Sequence, residues 1–154
     1  MVAQRPRIVV VEDDEKLGKL MYRVLADEHE VLVLGRAQAL LDRIAAGEPF
    51  DLALCDLMLP GMSGMAFHER VATSAPKLVA RIVFITAGPT TESARAFLQR
   101  PDIRHIEKPF GLDALRAAVR EHLRRVGGLM ADAAVGDAAS RPDAESDDLE
   151  TREN

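Results

Sequence analysis

The chain has very little of several things, and each shortage narrows what it can be. It holds one cysteine, Cys55, in 154 residues, so no internal disulfide framework exists and a reducing compartment suits it. Tryptophan is absent, tyrosine occurs once and phenylalanine five times. No apolar run approaches the roughly 18 residues that a membrane span needs. The opening MVAQRPRIVVVEDD reaches acidic residues before any signal-peptide apolar stretch, and a cytoplasmic location is expected. A basic excess is also absent. The formal net charge of −5 is concentrated in residues 131–154, where eight acids face Arg141 and Arg152. The 130 residues before them carry about +1, which is no electrostatic footprint for nucleic acid. No second, DNA-binding unit is legible after the first.

What is present is alternation. Arg7–Val11 (RIVVV), Val31–Leu34, Leu52–Cys55 and Ile82–Ile85 (IVFI) are short apolar runs of the kind found in a parallel sheet, and Ile103–Glu107 is a weaker fifth strand. Between them apolar residues recur at helical spacing. Leu17, Leu20, Met21, Val24 and Leu25 mark one helix, and Ala37, Leu40, Leu41 and Ile44 a second, closed by Gly47. Met65–Thr73 and Thr91–Leu98 give a third and fourth. Leu112, Leu115, Val119, Leu123 and Val126 give a fifth, ending at Gly127-Gly128. Five strands alternating with five helices predict a doubly wound α/β fold over residues 1–128. Residues 129–154 have almost nothing to bury and read as an acidic, disordered tail.

In open α/β sheets the ligand site lies outside the carboxyl ends of the strands. Those ends collect Glu12, Asp13 and Asp14 after the first strand, Asp56 after the third, Thr86 after the fourth and Lys108 after the fifth. Carboxylates so grouped need a cation, and an all-oxygen donor set at a shallow site suits Mg²⁺. Lysine, hydroxyl and metal together suit the oxygens of a transferring phosphoryl group. Singly, each residue has a plainer role: a helix N-terminal charge, a turn former, a core hydroxyl, a solvated lysine. Their coincidence at one sheet edge is what favours chemistry.

The segments VVVEDDE, DLALCDLMLPGMSG, IVFITAG and HIEKPF resemble, in order and spacing, the signature segments of response-regulator receiver domains of two-component systems. The resemblance covers about residues 6–126. It implies a flavodoxin-like sheet of order 2-1-3-4-5 and a phosphoacceptor role for Asp56. By the same resemblance Asp13, Asp56 and the Met58 carbonyl ligate Mg²⁺, with Glu12 acting through water. Thr86 and Lys108 bind phosphoryl oxygens, Ala87 leaves the phosphoryl group room to enter, and Lys108–Pro109 is cis. Asp14 is left as a helix N-terminal charge. Met58 and Gly88 flank the path of a hydrolytic water, and Thr86 with His105 forms the switch. His105 stands where Tyr or Phe is usual, and Glu12 where Asp is commoner. The implied phosphodonor is a histidine kinase, and the implied output is a downstream protein or a histidine phosphotransferase. Such a domain accepts and loses its phosphoryl group by its own catalysis without being a turnover enzyme. Two alternatives accompany this reading. One is a receiver excised from a hybrid sensor histidine kinase, whose receivers the stretch from Ile82 to Phe110 resembles. The other is a Mg²⁺-dependent aspartyl-phosphate phosphatase of the haloacid dehalogenase type.

Overall fold

The computed structural model describes residues 5–140, with side chains to residue 128. Strands β1 (Arg7–Val11), β2 (Glu30–Leu34), β3 (Leu52–Asp56), β4 (Ile82–Thr86) and β5 (Arg104–Glu107) alternate with helices α1 (Glu15–Leu25), α2 (Ala37–Ala45), α3 (Gly64–Ser74), α4 (Glu92–Leu98) and α5 (Leu112–Ser140). A short 3-10 helix, Pro76–Arg81, precedes β4 and was not foreseen. All strands are parallel, in the order β2-β1-β3-β4-β5, as expected.

The two faces of the sheet follow from strand alternation. Ile8, Val10, Leu52, Leu54, Val83 and Ile85 point to one side, where Met21 and Leu25 of α1 and Leu115 and Val119 of α5 cover them. Val9, Val11, Ala53, Cys55 and Phe84 point to the other, against Leu40 of α2, Phe67 and Val71 of α3 and Phe97 of α4. β3 is buried along its whole length, which is why it reads as a continuous apolar run up to Asp56. The strand order reverses between β1 and β3, so the crevice that accepts a ligand opens at their carboxyl ends.

Local chemistry sets the helix starts. Asp14 has extended backbone, and its Oδ1 accepts the Lys16 and Leu17 N–H groups at 3.0 and 3.2 Å. It is the N-cap of α1, in keeping with a helix-terminal role. Asp14→Ala is expected to cost about 1 kcal/mol in a denaturant titration. Ser63 and Thr91 cap α3 and α4 in the same way. The helix ends agree less well with expectation. α5 does not stop at Gly127-Gly128 but runs to Ser140. Neither glycine takes the positive φ that ends a helix at such residues. Each costs about 1 kcal/mol relative to alanine inside a helix, and five alanines among residues 131–140 favour continuation. The rest of the predicted tail, residues 141–154, lies outside the described residues. Among the described residues no helix is long and apolar enough to cross a membrane.

Candidate phosphoacceptor site

Each strand end delivers one part of the site. β1 runs straight into Glu12, whose backbone N–H donates to the Leu34 carbonyl at 2.9 Å and so continues the sheet one residue further. Its side chain folds back, with Oε2 accepting the Asp14 N–H at 3.1 Å. The residue is 4% exposed. Asp56 ends β3 and is 6% exposed, held by the Leu57 N–H to Ile85 carbonyl bond at 2.9 Å. Asp13 stands in solvent at the rim. Carboxylate oxygens of Glu12, Asp13 and Asp56 all lie within 4.8 Å of one another.

Lys108 faces this acidic group. Its Nζ lies 3.2 Å from Asp56 Oδ2 and 3.6 Å from Glu12 Oε1. The Lys108 N–H donates to the Thr86 carbonyl at 2.7 Å, and the following peptide, Lys108–Pro109, is cis as expected. Asp56 is therefore bound differently at its two oxygens, since Oδ1 accepts the Met58 N–H at 3.0 Å. Thr86 is fully buried, and its hydroxyl accepts the Gly88 N–H at 2.9 Å. Ala87 is exposed at the mouth, and the Met58 side chain is 53% exposed.

The charges follow from burial. Desolvation pushes the Glu12 carboxyl up to about 7, the neighbouring Asp56 adds to the rise, and the Asp14 N–H and Lys108 oppose it. Burial works against the charged form of Lys108, but the hydrogen bond to Asp56 and the two carboxylates outweigh it and hold the ammonium above its ordinary value. Glu12 Oε1 is buried with no hydrogen-bond partner, a costly state for an ionised carboxylate. An orphaned carboxylate oxygen among three clustered carboxylates fits a hard divalent cation, and the donor set is oxygen throughout.

His105 pairs in register with Phe84, on the sheet face that also carries Thr86. Its ring is 29% exposed, with Nε2 3.9 Å from Glu107 Oε2. Gly88 has φ +117°, a conformation that L side chains rarely adopt, so a side chain at that position is strained. The structure thus brings Glu12, Asp13, Asp56 and Lys108 together. Thr86 is buried and bonded through its carbonyl to the Lys108 backbone, whereas Ala87 and Met58 are exposed. Gly64 closes the segment DLALCDLMLPGMSG, but the neighbour that requires a glycine there is one that no local pattern reveals.

Residues 8–120 match the family model described as the response regulator receiver domain. The chain belongs to that family. It is 36% identical over 128 residues to the DNA-binding response regulator MtrA of Mycobacterium tuberculosis, which covers 81% of this chain and 54% of MtrA. It is 33% identical over 119 residues to the response regulator ArlR of Staphylococcus epidermidis, covering 77% and 52%. The chain thus spans about half the length of these relatives. Its fold is similar to a CheY-like receiver domain from Methanospirillum hungatei, with TM-score 0.71 and 24% identity over 81% of this chain and 98% of that one. Membership removes the haloacid-dehalogenase alternative.

Proposed function

We propose that this receiver domain accepts a phosphoryl group on Asp56 in two-component signalling. The observation that carries the proposal is the position of Lys108 Nζ between Asp56 and Glu12 at the carboxyl ends of β1, β3 and β5. One oxygen of Asp56 attacks phosphorus in line. The new O–P bond forms as the donor's bond to phosphorus breaks, and the electron pair leaves with the donor. The product is an acyl phosphate on Asp56. Its transition state is loose, so the protein contributes position and positive charge. Lys108 supplies that charge to an equatorial oxygen, and the Thr86 hydroxyl and the space beside Ala87 receive the others.

Glu12, Asp13, Asp56 and the Met58 carbonyl would hold Mg²⁺, which when bound supplies charge neutralisation to the carboxylates and to phosphoryl oxygens. Glu12 and Asp13 keep Asp56 in a field that a dication relieves. The donor is a histidine kinase. The output is contact with a downstream protein or onward transfer to a histidine phosphotransferase, in the cytoplasm. Autodephosphorylation completes the cycle without turnover of a separate substrate. The direct test is phosphorylation by acetyl phosphate in the presence of Mg²⁺.

Mg²⁺ should raise the melting temperature. At ten times its dissociation constant, mass action adds about 1.4 kcal/mol. The size of this shift should depend on pH through Glu12. With a folded value of about 7 against an ordinary 4.5, the native state holds a proton that the unfolded chain has released between those values. Metal-free stability therefore falls as pH rises through that window. The metal competes with the same proton, so the Mg²⁺-induced shift should be larger at about pH 7.5 than at about pH 5.5. Equal shifts at both values would contradict the role given to Glu12.

The switch consists of Thr86 and His105, which share a sheet face. His105→Phe should leave the phosphorylation rate within about twofold and change the affinity of the phosphorylated domain for its partner. Identical partner affinity in the variant would leave His105 as an ordinary strand residue.

A further inference from the structure

Asp56 sits at the end of a strand, yet it is the start of α3 that packs against the peptide following it. Gly64 is the first residue of α3. Its N–H donates to the Leu57 carbonyl at 2.8 Å. A Cβ at Gly64 would lie 2.8 Å from Leu57 Cα, 3.1 Å from the Asp56 carbonyl oxygen and 3.1 Å from the Leu57 carbonyl oxygen. All three atoms are backbone, so no side chain can swing aside to make room. This is not the usual use of glycine. Positive φ is found at Gly47, Gly61 and Gly88, and Gly64 is not among them. What the position requires is the missing atom.

We infer that Gly64 is a positioning residue for the acceptor: by letting the helix start touch the Asp56–Leu57 backbone, it fixes the Asp56 carboxylate and the Met58 peptide in one arrangement. Three contacts pin this short stretch. The Leu57 N–H is held by the Ile85 carbonyl on β4, and the Leu57 carbonyl is held by Gly64 on α3. Asp56 Oδ1 is held by the Met58 N–H. With residue Leu57 clamped through its N–H and through its carbonyl, the polar atoms of two consecutive peptides, the direction of the Met58–Leu59 peptide is restricted, and its carbonyl is the one proposed as a metal ligand. Asp56 and Met58 thus depend on an element that contributes no side chain to the site. Shifting backbone by a few tenths of an ångström moves two ligands together, whereas adding an atom elsewhere in α3 does not.

The inference rests on the proposed Mg²⁺ and phosphoacceptor roles, and the test separates the two. Mg²⁺ affinity is measured on the folded domain at about 20 °C by amide chemical-shift titration, alongside the rate of phosphorylation by acetyl phosphate. Gly64→Ala should raise the Mg²⁺ dissociation constant at least fivefold and slow phosphorylation, with the Leu57, Met58 and Ile85 amides shifted in the metal-free spectrum. Val71→Ala, which opens a cavity in the buried face of the same helix, serves as the stability control and should leave the constant within twofold. If Gly64→Ala yields too little folded protein, Ser63→Ala loosens the same helix start without adding an atom. That variant should raise the constant two- to threefold. Wild-type affinity in Gly64→Ala, or in Ser63→Ala where that variant is the one measured, overturns the inference. An equal loss of affinity in Val71→Ala also overturns it, since general loosening of α3 would then suffice. A wild-type domain that binds no Mg²⁺ and accepts no phosphoryl group would instead overturn the reading on which the inference rests.

Discussion

Asp56→Ala is expected to abolish phosphorylation. Incubated with acetyl phosphate or a cognate kinase and Mg²⁺, the wild type should gain one hydroxylamine-labile phosphoryl group, and the variant none. The expectation follows from position. Among the clustered carboxylates, Asp56 ends a central strand, lies within hydrogen-bond reach of Lys108 and has a second oxygen fixed by a backbone N–H. Glu12 is as deeply buried, but its Oε1 stands 3.6 Å from Lys108 Nζ, outside hydrogen-bond reach. Asp13 is exposed and forms no such clamp. Wild-type labelling of Asp56→Ala would move the acceptor to one of these two.

Lys108→Ala should have the second-largest effect. A unit charge about 4 Å from a phosphoryl oxygen contributes up to about 4 kcal/mol at an effective dielectric of about 20. Removal of one preorganised charge of this kind costs about 10²–10³-fold in rate. The variant should therefore bind Mg²⁺ and fold, yet accept phosphoryl groups about two to three orders of magnitude more slowly. Its stability should also change with a definite sign. The folded-state pKa of Lys108 is raised, so its ion pairs stabilise the fold fully below the unfolded lysine value and are lost as pH rises through the folded one. Near neutrality the variant therefore leaves Asp56 and Glu12 facing each other without their cation. Mg²⁺ should then stabilise Lys108→Ala more than the wild type. A rate within twofold of wild type would show that Lys108 is a bystander.

The gathering of the candidate residues at one sheet edge was legible in the sequence, and the close contacts that pack around them were not. Glu12, Asp56 and Thr86 announce themselves because each ends an apolar run, Lys108 because it follows the weaker fifth strand, and a parallel sheet brings such ends to one edge. Asp14 was readable as a helix-terminal charge because a short acidic side chain before an apolar stripe satisfies orphan N–H groups. The strands were found to within a residue, and for β1, β3 and β4 the reason is that burial on both faces leaves an unbroken apolar run. The end of α5 was misplaced because two glycines look like a stop, whereas the outcome depends on the alanine-rich sequence beyond them. The need for glycine at position 64 was hidden for a related reason. The contact that forbids its side chain is with Leu57, on the far side of a loop, and sequence patterns report local periodicity rather than distance. The raised carboxyl of Glu12 was equally hidden, because desolvation depends on what covers a residue.

The measurement that tests the central claim most directly is location of the phosphoryl group. Borohydride reduction of the phosphorylated domain, followed by peptide mass spectrometry, marks the carboxyl that carried an acyl phosphate. The account predicts a reduced residue at position 56 alone, appearing only when Mg²⁺ was present during phosphorylation. Reduction at position 12 or 13, or no reducible phosphate in a domain that carries label, would contradict it.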